Sequence, residues 1–122
     1  MLILSRYIAK HELDALSRTI ALRDVLDGAT KVKKGLAIAT KPPVQGYRFY
    51  KVRIGQRNAA RMIVFLITDN QKIVPILIRL KQDKVFGANM AMNNPRVVEQ
   101  IRKNMEKIME DIQAGRYEEY PL

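Results

Sequence analysis

The sequence predicts a small α+β domain in which an antiparallel sheet of three to four strands packs against an N-terminal helix and a C-terminal helix. Two observations support this class. Three apolar or alternating segments follow one another in the middle of the chain, and a helical pattern of apolar residues lies on each side of them. The 122 residues suit one domain, 1–122, and a hydrophobic content of 48% is sufficient for a core.

The first third of the chain predicts one strand and one helix. Residues 1–4 are apolar and suit a short first strand. Apolar residues recur at helical spacing over residues 11–27, and Asp27 followed by Gly28 is expected to end this helix. Residues 29–46 are expected to be irregular, because Pro and Gly in the second half of this stretch indicate turns.

The middle of the chain predicts three strands joined as an antiparallel meander. The first, residues 47–54, alternates between two faces. The second, residues 61–68, is apolar on both faces, as is typical of an inner strand. The third, residues 73–80, contains Pro75, which cannot donate a hydrogen bond to a neighbouring strand. Pro75 therefore predicts an edge strand, a bulge, or a strand that begins after it.

The C-terminal helix has the clearest signals in the chain. Asn94 is a good N-cap, Pro95 suits the first helical position, and Gly115 is a natural stop. An apolar stripe at helical spacing lies between them and is expected to face the core. Its members are Val97, Ile101, Met105, Ile108 and Ile112. Residues 115–122 are predicted to form a flexible or partner-bound tail.

The positive charge of the chain is concentrated in one window. The net charge is +10, and nine basic residues but no acidic residue lie between Asp27 and Asp69. Like charges on one surface repel each other, so this window indicates a polyanionic partner, of which nucleic acid is the commonest. The nine residues are Lys31, Lys33, Lys34, Lys41, Arg48, Lys51, Arg53, Arg57 and Arg61.

The composition excludes several classes of site. Without cysteine there is no disulfide, no thiolate metal site and no cysteine nucleophile. One histidine, and two carboxylates between residues 28 and 98, predict neither a metal site nor a cofactor. No apolar run approaches the length of about 18 residues that a membrane span needs, and the short apolar start does not have the form of a secretory signal. We therefore expect a cytoplasmic protein with no membrane association.

The central segment carries an ordered set of motifs. Tyr50-Lys-Val-Arg-Ile-Gly is followed by Arg61-Met-Ile-Val-Phe-Leu-Ile, then by Asp69 and by Lys72-Ile-Val-Pro-Ile-Leu-Ile. This set resembles the RelE/ParE superfamily of bacterial toxins over about residues 47–86. The resemblance implies a RelE-like toxin of a type II toxin–antitoxin system, an mRNA interferase that cleaves mRNA in the ribosomal A site without a metal and so inhibits translation. It also implies a cognate antitoxin protein as a partner.

The resemblance assigns the catalytic cluster of the family to Lys51, Arg53 and Arg61. Residue chemistry agrees with this assignment, because cleaving an RNA phosphodiester requires deprotonating a 2′-OH and neutralising the phosphoryl oxygens. A lysine crowded by guanidinium groups has a lowered pKa and suits a general base, while arginines clamp the phosphate. An aromatic ring on the same strand face is expected to stack on a base. The residues expected to contact RNA are Arg48, Phe49, Arg57, Lys81 and Lys84.

Three alternatives stay open at this point. Basic residues on one face of a half-exposed strand are also typical of an ordinary solvated surface. Phe86, which has no hydroxyl, stands near the position of the family's C-terminal tyrosine, and this departure favours a ParE-like inhibitor of DNA gyrase that acts through protein contacts. A non-catalytic RNA-binding module on the same fold would bind RNA with a steep salt dependence and would not cleave it.

Overall fold

A six-stranded mixed sheet organises the chain, with the strand order β2-β3-β4-β5-β1-β6. The strands are β1 Leu2–Ser5, β2 Ile38–Ala39, β3 Phe49–Ile54, β4 Ala60–Ile67, β5 Lys72–Leu80 and β6 Tyr117–Tyr120. The structure, a computed structural model, describes residues 1–40, 48–67, 71–86, 90 and 93–122. The α+β class is confirmed. The sheet is larger than the three to four antiparallel strands expected, because β2 and β6 join the meander and the expected first strand. It is mixed because β1 pairs with β5 in parallel.

The helices are α1 Arg6–Ile8, α2 Leu22–Lys33 and α3 Pro95–Ala114, and α1 continues through a π-helical turn, Ala9–Leu13, and a 3-10 turn, Asp14–Leu16. The expected single helix over residues 11–27 is therefore wrong, since the 3-10 turn ends at Leu16 and α2 begins only at Leu22. Ile20, in the break, is 1% exposed. Its apolar side chain fills the core. Its spacing from the neighbouring apolar residues matches that of a helix, although it does not lie in one. Among the helices that the structure describes, none has the length and apolar character needed to cross a membrane.

Gly28 lies inside α2 and does not end it, contrary to the expectation. A Cβ built on Gly28 would lie 2.5 Å from Ile54 Cγ2 and 2.9 Å from Met62 Cε. The helix therefore lies so close to β3 and β4 that only glycine fits at this position without a shift of its neighbours. Residues 29–33, expected to be irregular, continue the helix, whereas the turns expected within residues 41–46 lie outside the described residues.

The antiparallel meander of β3, β4 and β5 is present as expected. Positions 47 and 68, the outer ends of two of the predicted strands, lie outside the described residues. Between Ile63 and Val64 the partner on β5 changes from Leu77 to Pro75, so β5 carries one extra residue at this point. The extra residue is Ile76, and this is a β-bulge, one of the three arrangements that the proline predicted.

The two ends of the chain meet at one edge of the sheet. β1 pairs with β5 in parallel, and β6 pairs with β1 in antiparallel register from Leu2↔Tyr120 to Ser5↔Tyr117. The expected flexible or partner-bound tail is thus largely an edge strand. All four residues of β1 are buried, and their backbone groups need a partner on both sides. The C-terminal strand supplies the second partner.

The signals for α3 are confirmed. The Asn94 side chain accepts a hydrogen bond from the Arg96 N–H at 3.0 Å, and Pro95 begins the helix. Gly115 adopts a left-handed conformation with φ of 73° and ends it. Four residues of the predicted stripe are buried, and the fifth is half-buried. They are Val97, Ile101, Met105 and Ile108, followed by Ile112.

A buried carboxylate joins the N-terminal helical region to β5. β1 pairs with β5 near Ile73, so the N–H of Ile78, further along the same edge, needs another acceptor. Glu12, which is 2% exposed, accepts this hydrogen bond at 2.8 Å and forms an ion pair with Arg79. Burial raises the pKa of the Glu12 carboxyl, and the charge of Arg79 opposes this effect. From α3, the Asn104 amide donates to the Ile76 carbonyl at 2.7 Å.

Replacing Gly28 with Ala tests the close approach of α2 to the sheet. We expect Gly28→Ala to lower the free energy of unfolding by about 1–2 kcal/mol, because the clash with Ile54 outweighs the gain in helix propensity. Urea denaturation followed by circular dichroism measures the change. Asp27→Ala, at the exposed neighbouring position, is the matched control and should change stability by less than about 0.5 kcal/mol. A stabilised Gly28→Ala variant would contradict the packing described.

Removing the Glu12 carboxylate tests its role in holding β5. We expect Glu12→Ala to lower the free energy of unfolding by about 3 kcal/mol, because Ile78 N–H loses its acceptor and Arg79 its counter-charge. Glu12→Gln keeps an acceptor and should cost less. The exposed Glu106→Ala, on α3, is the control. If denaturation gives Glu12→Ala and Glu106→Ala equal stability, Glu12 does not anchor the sheet.

Candidate nucleic-acid interface

The register of β3 and β4 brings the three residues expected to be catalytic onto one face of the sheet. Arg53 pairs directly with Arg61, and Lys51 pairs with Ile63. Directly paired residues of antiparallel strands point to the same side, and residues i and i+2 of one strand do so too. Lys51, Arg53 and Arg61 therefore stand together, on the face of the strands opposite to the one that α2 covers through Gly28.

A cleft of about 350 Å³ opens around these residues. Its lining contains four cationic side chains and no carboxylate among the described residues. The fourth cation, Lys31, comes from the last turn of α2. No sequence pattern singles out Lys31 among the basic residues of the charged window, because only the packing of α2 on the sheet brings it to this position. The cationic residues of the cleft are Lys31, Lys51, Arg53 and Arg61.

The cleft follows an edge of β3 that β2 leaves open. β2 pairs with Lys51 and Tyr50 only. Further along this edge the Arg53 carbonyl accepts a hydrogen bond from Lys31 Nζ at 3.2 Å. Lys31 therefore satisfies a backbone group of the strand and adds its charge to the cleft.

Arg61 also holds the turn between β3 and β4. It is 9% exposed, and its guanidinium donates to the carbonyl of Asn58 at 2.9 Å and of Ala60 at 3.3 Å. In this turn Arg57 and Asn58 have φ values of 55° and 56°, a left-handed conformation that costs free energy in residues other than glycine. The bond from Arg61 to the Asn58 carbonyl helps to stabilise this conformation.

The crowding of cations changes their protonation equilibria. Burial lowers the pKa of Lys51, and the positive charge of Arg61 lowers it further. Burial and the charge of Arg53 likewise lower the pKa of Arg61, although a guanidinium stays protonated at neutral pH. No carboxylate of the described residues forms an ion pair with Arg53 or Arg61. An anion in the cleft would relieve this repulsion.

The aromatic residue expected to stack on RNA is buried in the core. Phe49 is on the predicted face, but it is 0% exposed, and its ring packs against Phe65 with centroids 6.0 Å apart. The expectation is wrong because one strand face passes from core at one end to solvent at the other. Alternation along the strand identifies the face but not the position at which it becomes exposed.

The other residues expected to bind RNA are placed differently. Arg57 is exposed in the turn next to Asn58, and the Lys81 N–H donates to the Ala59 carbonyl at 2.9 Å, so both lie at the cleft end of the sheet. Arg48 is exposed at the opposite end of β3. Lys84 is exposed beyond β5 and does not line the cleft.

Arg79 stands in one row with Arg53 and Arg61 across the sheet, and the sequence interpretation missed it. It pairs with Arg61, so three arginines stand side by side across β3, β4 and β5. Arg79 is neutralised by Glu12, whereas Arg53 and Arg61 form no ion pair with a carboxylate that the structure describes. The Arg79 guanidinium lies 4.7 Å from the centre of the Phe86 ring. Its position near the end of the third predicted strand was a usable signal, but the register was needed to place it beside Arg61.

Comparisons of the chain with protein-family models, with curated proteins and with solved structures found no match. The chemistry of the cleft therefore rests on its own residues.

Removing the charge of Arg61 tests the electrostatic coupling in the cleft. We expect Arg61→Met to raise the pKa of Lys51, because a repelling positive charge next to the ammonium is lost. Titration of the Lys51 side-chain signal by NMR measures the shift. Arg48→Met removes the same charge at the far end of β3 and should leave the pKa of Lys51 unchanged. An unchanged or lower pKa in Arg61→Met would contradict the coupling.

Proposed function

We propose that the protein is a RelE-like, ribosome-dependent mRNA endoribonuclease, and that the cationic cleft is its RNA-binding and catalytic site. The resemblance of the central segment to RelE/ParE toxins supports the reaction. The observation that carries the proposal is the register of β3 and β4, which gathers Lys51, Arg53 and Arg61 in a cleft whose described lining has no carboxylate. Such a lining favours a chain of phosphates over any neutral or cationic ligand.

On this proposal the arginines hold the phosphate that is cleaved. Arg53 is exposed, and its guanidinium presents a planar set of N–H donors to phosphate oxygens. Arg61 uses one nitrogen for the carbonyls of its own turn, and its remaining donors and its charge are available to the cleft. Both charges stabilise the negative charge that develops on the phosphoryl oxygens in the transition state.

Lys51 is proposed to act as the general base. Its neutral amine takes the proton of the ribose 2′-OH, the 2′ oxygen forms a bond to the adjacent phosphorus, and the bond from phosphorus to the 5′ oxygen breaks. The leaving 5′ oxygen takes a proton from water. A lowered pKa raises the fraction of neutral amine near pH 7, and both burial and Arg61 lower the pKa of Lys51. No metal takes part in these steps.

A non-catalytic RNA-binding module is the second candidate. Two observations favour it: Arg79, in line with the cleft arginines, is neutralised by Glu12, and the Phe86 ring lies against Arg79 and offers no hydroxyl. In such a module the cleft would hold RNA without cutting it. For the ParE-like alternative, inhibition of supercoiling by purified gyrase, with mRNA left intact, would be the distinguishing result.

The proposal includes a protein partner. A cognate antitoxin with an acidic segment would complement the four cations of the cleft and block access of RNA. On this proposal the antitoxin is encoded by a gene next to that of the protein, so sequencing of the locus would identify the antitoxin.

Replacing Lys51 separates catalysis from binding. We expect Lys51→Met to reduce mRNA cleavage on ribosomes by about 100-fold or more, because the general base is lost, while RNA affinity falls far less because three cations of the cleft remain. Wild-type cleavage should rise with pH up to the pKa of Lys51 and then level off, since only the neutral amine accepts the proton. Arg53→Met should weaken RNA binding. Gel analysis of mRNA from a purified translation system measures the cleavage.

The exposed Lys103→Met, on α3, is the matched control and should cleave like the wild type. Full cleavage by Lys51→Met would remove Lys51 from the mechanism. RNA binding by the wild type without any cleavage on ribosomes would establish the second candidate.

A further inference from the structure

Two exposed aliphatic side chains stand at the cationic cleft. Leu36 is 68% exposed and Ile38 is 69% exposed, and both line the cleft. The other large apolar side chains that are exposed in the described part of the chain are between 39% and 44% exposed, and none of them lines it. Isolated apolar residues on a surface need no explanation, but two at the same charged cleft do.

The register fixes where these side chains stand. Ile38 on β2 pairs directly with Lys51 on β3, so both side chains point to the same face, with Cβ atoms about 5 Å apart. A β-branched residue such as Ile38 is common in strands for reasons of propensity alone. Leu36 precedes the strand, so β propensity does not explain it.

We propose that Leu36 and Ile38 form an apolar wall that holds one base of a single-stranded RNA, while the neighbouring cations hold its phosphate. This inference rests on the proposed function and adds a base subsite to it. A nucleotide has an apolar base face and an anionic phosphate, and the cleft offers matching surfaces for both on one strand face. In a duplex the base faces are stacked inside the helix, so the wall selects single strands.

The size of the cleft favours a nucleotide over a protein segment. Its volume of about 350 Å³ is at the lower end of the range for small-ligand sites. A specific protein interface buries about 800 Å² on each partner, far more than two aliphatic side chains provide. The cations around the wall add the charge that a phosphate chain requires.

The test measures binding of a labelled single-stranded RNA of about twelve nucleotides, and of the matching duplex, at several salt concentrations by fluorescence anisotropy. Leu36→Ser/Ile38→Thr removes the wall without changing charge. Met109→Gln, on α3, is the matched exposed apolar control, and Arg53→Met is the phosphate control. Because both wall residues are exposed, the double variant should keep the thermal stability of the wild type.

We expect the double variant to bind the single strand about tenfold more weakly, with an unchanged slope of affinity against salt and unchanged duplex affinity. Arg53→Met should reduce the slope of affinity against salt. Met109→Gln should change neither the affinity for the single strand nor this slope. If the double variant binds the single strand as tightly as the wild type does, the inference is overturned and the proposed function is left intact. A wild type that binds no RNA, even on ribosomes, overturns both.

A second outcome assigns the wall to a different ligand. If sedimentation shows that the wild type self-associates and the double variant does not, while RNA affinity is equal in the two, Leu36 and Ile38 form a protein contact. That result overturns the base subsite.

Discussion

The candidate site depends on one constraint, the register in which Arg53 on β3 opposes Arg61 on β4. A slip of one residue would move every side chain of one strand to the other face of the sheet and disperse the cations. The turn between the strands sets this register. Gly55, Arg57 and Asn58 all have positive φ in this turn, and Arg61 donates to the carbonyl of Asn58. The arginine that completes the charged row therefore also helps to hold the turn that places it there.

The neutralisation of charge along the row decides where an anion is attracted. At β5 the ion pair with Glu12 cancels the charge of Arg79, and this pair also anchors the N-terminal helical region. At β3 no carboxylate of the described residues pairs with Arg53, and Lys31 adds a further positive charge from α2. Lys31 reaches this edge because Gly28 allows its helix to lie close against the sheet. The positive potential is thus concentrated at the β3 edge.

Local patterns predicted the elements whose signals are contained within one segment. The cap at Asn94, the stop at Gly115 and the interruption at Pro75 all follow from the conformations these residues allow. Expectations were wrong where the structure of a residue is determined by a contact with a distant segment of the chain. Gly28 was expected to end a helix, but it lies inside α2, where it allows the helix to pack closely on the sheet. Residues 115–122 were expected to form a tail, but four of them, β6, pair with the buried strand β1.

The sequence by itself determined the α+β class, the meander, the concentration of positive charge and the common strand face of Lys51 and Arg53, because spacing and residue type carry this information. Only the tertiary structure decided which cations meet and which are neutralised. The addition of Lys31, the pairing of Arg79 with Glu12 and the burial of Phe49 depend on contacts between segments far apart in the chain. Side-chain periodicity identifies a face, whereas register and helix packing determine what that face meets.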